Sequence, residues 1–240
     1  MERKKLLIIG AITVILLALV AVVSGFVTIG EKTWEASSQK EFVGAIAMAK
    51  PGDTILLLEK EPYYIPNRGS GLSPSVTIKG IGETGTLLVG ELWVNGGITL
   101  NDLTLYDSSD SSIAYNPALK TTGNVVLERV RICSDGKSCA IIGGSKEFYH
   151  PTIKIKDCEF ISIRGGEGLS IDTPMADDSE IKDNVFMGFR SGICISIDMM
   201  FAKESMSYQE TQDKYEELAS KLNKDNVFIW VGGPVTGARG

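Results

Sequence analysis

Asp172 and Asp198 are the residues of this 240-residue chain whose type and spacing first suggest chemistry. Each closes a short alternating run, Leu169-Ser170-Ile171-Asp172 and Ile195-Ser196-Ile197-Asp198, and the runs lie 26 residues apart. On adjacent parallel strands the two carboxylates would stand about 4.8 Å apart. Alternation turns Leu169 and Ile171 inward, and Ser170 and Asp172 outward. Such a pair suits a retaining glycosidase, or a shared hard cation such as calcium. Arg164 and Arg190 repeat at the same spacing. Stacked, they could grip a carboxylate or sulfate through paired N–H donors. Eight extended residues put Arg164 up to about 26 Å from Asp172, so the two pairs need not share a site. Outward carboxylates at strand ends are also ordinary features of a solvated face, and the preceding coil carries Ile141-Ile142-Gly143-Gly144 where Asp172 falls. No catalytic residue is therefore assigned. Asp172 and Asp198 are candidates for catalysis or metal binding, Arg164 and Arg190 for ligand binding, and calcium is the one cofactor with a rationale.

The elements that must position these residues repeat. Ile155-Lys156-Asp157-Cys158-Glu159-Phe160 recurs as Ile181-Lys182-Asp183-Asn184-Val185-Phe186, again 26 apart. Leu100 to Leu105, Leu127 to Ile132 and Asn223 to Phe228 extend the series. Each unit is short alternating runs separated by Gly, Asp, Ser and Asn, the grammar of strands and turns. One unit of this size cannot bury its own apolar positions. Stacked units can, with each strand paired to its equivalent in the next coil. The fold expected is all-β, a right-handed parallel β-helix solenoid with an N-terminal capping helix, an inserted amphipathic helix and an N-terminal transmembrane helix.

The repeated Ile-x-Asp-Asn-x-Phe text, with Asn184 and Asn226 at a turn, resembles the pectate-lyase-like (pectin-lyase-like) superfamily of right-handed β-helices. So does the opening Phe42 to Lys50 followed by Pro51-Gly52-Asp53-Thr54-Ile55, which looks like that family's capping helix and first strand. The resemblance spans about residues 38–233 and implies a fold more than an activity, because the superfold hosts many functions. The family's enzymes usually act on acidic polysaccharides. Its polygalacturonase motifs are not matched here: Asp177-Asp178 lies in a loop, and the sole histidine, His150, has no flanking glycines.

Residues 1–30 read as a membrane anchor. Met1 to Lys5 precede an uncharged apolar run, Leu6 to Ile29, whose 24 residues would span about 36 Å as a helix. That exceeds a hydrocarbon core of about 30 Å, and also the apolar stretch of about 7–15 residues in a cleaved leader. Arg3, Lys4 and Lys5 would keep the N-terminus cytoplasmic and place the rest outside the cell membrane. Residues 31–37 read as a linker and 38–240 as the β-helix. Ser38-Gln39-Lys40-Glu41 fits a capping box for a helix with Phe42, Ile46 and Ala49 on one face. The insertion at about 203–222 fits a second such helix. Ser207-Tyr208-Gln209-Glu210 is its capping box, and Tyr208, Thr211, Tyr215, Leu218 and Leu222 follow at helical spacing.

The net charge of −6 argues against a nucleic-acid partner. Cys133 and Cys139 flank a turn-rich loop and are candidates for a disulfide, while no Cys-x-x-Cys suggests zinc. The favoured function is an extracytoplasmic binding or structural module of the envelope, for glycan or protein. The alternatives are a polysaccharide lyase or glycosidase on acidic glycans, and an accessory subunit of a membrane assembly, with oligomerisation through the last coil.

Overall fold

In-register pairing of successive repeats builds the molecule. The computed structural model describes residues 31–82, 85–107, 117–134, 138–143, 150–162, 165–197 and 207–238. The anchor expected at 6–29 lies outside them. Among the described residues no helix is long and apolar enough to cross a membrane.

The strands, in chain order, are β1 (Thr33–Ala36), β2 (Thr54–Leu57), β3 (Tyr63–Tyr64), β4 (Val76–Lys79), β5 (Leu87–Val89) and β6 (Leu92–Val94). Then come β7 (Ile98–Asp107), β8 (Leu119–Thr121), β9 (Val125–Ser134), β10 (Ser138–Gly143), β11 (Ile153–Lys156) and β12 (Glu159–Ser162). The last are β13 (Glu167–Asp172), β14 (Glu180–Lys182), β15 (Val185–Met187), β16 (Ser191–Ser196), β17 (Val227–Ile229) and β18 (Gly233–Ala238). The helices are α1 (Gln39–Met48) and α2 (Tyr208–Asp225). Among the described residues every pairing is parallel, in one twelve-stranded sheet and one six-stranded sheet, β6-β8-β10-β13-β16-β18. This is a solenoid's connectivity, since each strand pairs with its counterpart one coil away.

The register follows the repeats along the larger sheet. Leu100 pairs with Leu127, Leu127 with Ile155, Ile155 with Ile181, Phe160 with Phe186, and Phe186 with Phe228. Four successive coils bend at one left-handed residue: Asp102, Arg129, Asp157 and Asp183 all have φ between 52° and 58°. Aspartate tolerates that region through local side-chain hydrogen bonds. Arg129 is held there by ion pairs to Asp102, at 2.6 Å, and to Glu128.

Just past that bend the inward column runs Leu103, Val130, Cys158, Asn184 and Asn226, all buried. Asn184 Oδ1 accepts from Cys158 N–H at 2.9 Å, and its Nδ2 donates to Ile155 O at 3.0 Å and to Asn226 Oδ1 at 2.9 Å. Asn226 Nδ2 donates in turn to Ile181 O and Leu222 O. Buried amides are tolerated because both their donors and acceptors find partners. Beside them Phe160, Phe186 and Phe228 stack with centroids 4.7 and 5.2 Å apart. Gly168 and Gly192 make room for those rings: a Cβ on either would come within 2.6 Å of Phe186 and Phe228 respectively.

Both helices form where the capping residues place them. Ser38 Oγ accepts from Glu41 N–H, but the Glu41 carboxylate takes Ser37 N–H and Oγ–H at 2.8 Å, one residue earlier than a capping box requires. Phe42, Ile46 and Ala49 are buried as expected. α2 has the full box between Ser207 and Glu210 and runs three residues beyond the expected end. It buries Leu222 and packs Tyr215 and Leu218 on the core, while Tyr208 is exposed. The linker expected at 31–37 is instead largely β1, with Trp34 paired to Ile55 and its Nε1–H donating to Asp53 Oδ2 at 2.9 Å. Thr33, Trp34 and Glu35 read as a linker only until a partner strand supplies the other half of the pattern.

Asn184→Ala orphans the Cys158 amide, the Ile155 carbonyl and part of Asn226. We expect a loss of about 2–4 kcal/mol, since each buried group left unpaired costs about 1–3 kcal/mol. Chemical denaturation followed by circular dichroism checks this.

Candidate functional site

The outer face of the six-stranded sheet carries the candidate chemistry, and its register differs from the one the text suggests. Leu169 pairs with Ile193, Ser170 with Cys194 and Ile171 with Ile195, an offset of 24 rather than 26. Continuing that register sets Asp172 beside Ser196, with Gly143 on its other side. The stacking of Asp172 on Asp198 is therefore corrected at this register, and Asp198 itself lies outside the described residues. The cause is the corner before the sheet. Four residues, 163–166, separate β12 from β13 there, whereas Phe189 and Arg190 alone fill the equivalent turn after Gly188. A two-residue slip preserves the in–out alternation, so the apolar pattern cannot reveal it.

The same slip takes Arg190 out of the register that the text suggests. Glu167 pairs with Ser191, so Arg190 matches position 166 of the preceding coil rather than 164, and its N–H donates to Gly166 O. Arg164 lies outside the described residues, and Arg190 is exposed. His150 is exposed as well. Asp178 is occupied by neighbours, accepting from Thr152 Oγ1 at 3.0 Å and facing Lys154 Nζ at 3.3 Å. All four cysteines are reduced thiols, so the disulfide expected between Cys133 and Cys139 is not formed. Cys133 stands in an outward column between Tyr106 and Ile161. Cys139 is buried, its thiol donating weakly to Ile132 O and Ile161 O, and burial holds it protonated well above the ordinary cysteine range. Among the described residues no group of three or more His, Cys, Asp or Glu is arranged to hold a metal.

Asp172 is nonetheless distinctive. Its carboxyl is partly buried and accepts from Ser170 Oγ at 3.3 Å. Burial raises its pKa above the ordinary aspartate value, opposed by the Ser170 hydrogen bond and by the positive charge of Lys120. Lys120 leads to residues that the sequence reading missed. It pairs in register with Trp93 across β6 and β8. Its Nζ lies 5.2 Å from the centroid of the Trp93 ring, and the Arg68 guanidinium carbon lies 4.1 Å from it. Both are within cation–π range. Arg68 is tied to the buried Glu91 carboxylate at 2.6 Å, and Trp93 Nε1–H donates to Pro117 O at 3.3 Å, so the indole is held from two sides. Trp93, Val94, Asn95, Lys120 and Thr122 line a shallow cleft of about 220 Å³, in which Thr122 Oγ1 donates to Asn95 Oδ1 at 3.2 Å. The spacing of Trp93 and Lys120, 27 residues, equals that of Leu100 and Leu127 and was a signal available in the text.

Comparison with protein-family models, with curated proteins and with solved structures finds no match.

The raised pKa of Asp172 has a definite sign in stability. Between the ordinary aspartate value and the higher folded one, the folded chain holds a proton that the unfolded chain has released, so stability falls as pH rises through that window. Asp172→Asn, which keeps an acceptor for Ser170, should therefore be more stable than wild type at pH 7. The difference should close below the ordinary aspartate pKa, as read from urea midpoints across the pH range.

Proposed function

We propose that this chain is a right-handed β-helix of the pectate-lyase-like kind that binds glycan at the cell envelope. Residues 6–29 anchor it in the membrane, with the N-terminus cytoplasmic and the solenoid outside. The observation that carries the binding reading is the Trp93 cleft. An indole with Arg68 over its ring and its Nε1–H on Pro117 O lines the cleft with apolar surface of the kind that packs against the C–H groups of a sugar ring. Lys120 supplies a cation beside it for a carboxylate on that sugar. Asn95 and Thr122 add amide and hydroxyl groups in the same cleft, the pattern of an apolar wall with a few convergent polar groups. The cleft is open and small, which suits one unit of a longer chain lying along the face better than an enclosed metabolite.

A second reading, cleavage of an acidic polysaccharide, is favoured by Asp172 alone. A partly buried carboxyl with a raised pKa, on the same face as Lys120, is the kind of group that serves as a general acid or base. Among the described residues its register neighbours are Gly143 and Ser196, neither of them the adjacent carboxylate that a retaining glycosidase uses, and binding is the better supported of the two.

Calorimetric titration of the full chain with neutral and uronate-containing oligosaccharides tests the binding reading. Uronates should bind more tightly than their neutral counterparts. Trp93→Ala should weaken both at least about tenfold, the order of one lost aromatic contact. Lys120→Met should weaken only the uronates. Absence of binding to every member of the panel would refute it, and turnover abolished by Asp172→Asn would favour the enzyme.

A further inference from the structure

We infer that the terminal coil is a dimerisation surface, on which two copies of this chain meet tail to tail. The argument starts from the outward columns of the second half of each coil. One column reads Thr104, Arg131, Glu159, Val185, Val227, and the next reads Tyr106, Cys133, Ile161, Met187, Ile229. Midway along the first column Arg131 and Glu159 form an ion pair at 2.6 Å. On the last two coils the first column turns apolar, beside a second column that carries no charge along its length. Val227 is 55% exposed and Trp230, immediately past β17, is 83% exposed. Outward positions elsewhere on this sheet include Lys154, Lys156, Glu180 and Lys182, as a solvated face requires. The first column's passage from charged to apolar at this end, next to the uncharged second column, marks a contact surface.

The backbone points the same way. β17 is the last strand of its sheet, so one side of it has no strand beside it among the described residues. Strand edges of this kind recruit another strand unless covered. α2 packs against β14 and β18 and so closes a different part of the same coil. At the opposite end α1 packs across β1 and β2 and buries Phe42, Ala45 and Ile46. Head-to-tail addition would have to displace that helix. A second copy presenting its own β17 needs no displacement, and the twofold contact closes after two chains instead of growing a fibre. Lys224 and Asp225, just before the edge, supply both signs of charge, so a twofold partner does not face a like-charged rim. The surface lies on the other sheet from the Trp93 cleft, and either can fail without the other.

The test uses the full chain in detergent. Sedimentation equilibrium should give a dimer, and Val227→Lys combined with Trp230→Ser should raise its dissociation constant at least about tenfold while circular dichroism stays unchanged. Amide exchange at 227–230 in the wild type should slow as concentration rises through the association range, a readout that needs no variant. A wild-type monomer at tens of micromolar, a dimer untouched by the double substitution, or exchange at 227–230 that ignores concentration would each overturn the inference.

Discussion

Parallel pairing of equivalent residues on successive coils is the constraint on which everything else depends. A coil alone has one apolar face and no core. Two adjacent coils share strand hydrogen bonds, stack Phe160 on Phe186 and Phe228, and let Asn184 and Asn226 complete each other's amide bonds. The aromatic and amide ladders run through the same coils, Asn184 and Phe186 following the left-handed Asp183 and Asn226 and Phe228 following the end of α2. Slipping one coil by one residue would turn both ladders outward. The interior thus fixes the register, and the register decides which side chains stand together on the outer faces.

That dependence explains why the functional candidates moved while the fold did not. The larger sheet follows the repeat because its interior residues are individually distinctive: Asp183 at a positive φ, Asn184 with three specific partners, Phe186 in a stack. A text match there is a structural match. The six-stranded sheet has a less particular interior of Leu169, Ile171, Ile193 and Ile195, all of which satisfy the same alternation after a shift of two. The shorter corner at Phe189 and Arg190 takes up that shift. Asp172 and Asp198 match in text for this reason, while the register of β13 on β16, continued, sets Ser196 beside Asp172.

Other features escaped for related reasons. β1 is four residues whose pattern makes sense only against β2, some twenty residues later. The Trp93 cleft needs Arg68 and Glu91 as well as Lys120, and Arg68 comes from a turn with φ of 59° that no repeat announces. By contrast, the two helices were legible because their caps are local: a serine and a glutamate three residues on, followed by apolar residues at helical spacing. Long-range pairing of irregular coils is what a single sequence conveys least.

The stack and its shifted register can be tested together by one substitution. Ser170 and Cys194 are register partners on β13 and β16, and facing residues on adjacent parallel strands lie within the Cα separation of about 4.4–6.8 Å that a disulfide needs. Mild oxidation of the Ser170→Cys variant, followed by peptide mass spectrometry, should recover position 170 linked to Cys194 in a chain that retains its β circular dichroism. A folded variant in which position 170 is alkylated freely, or is joined to another cysteine, would contradict the arrangement of coils described above.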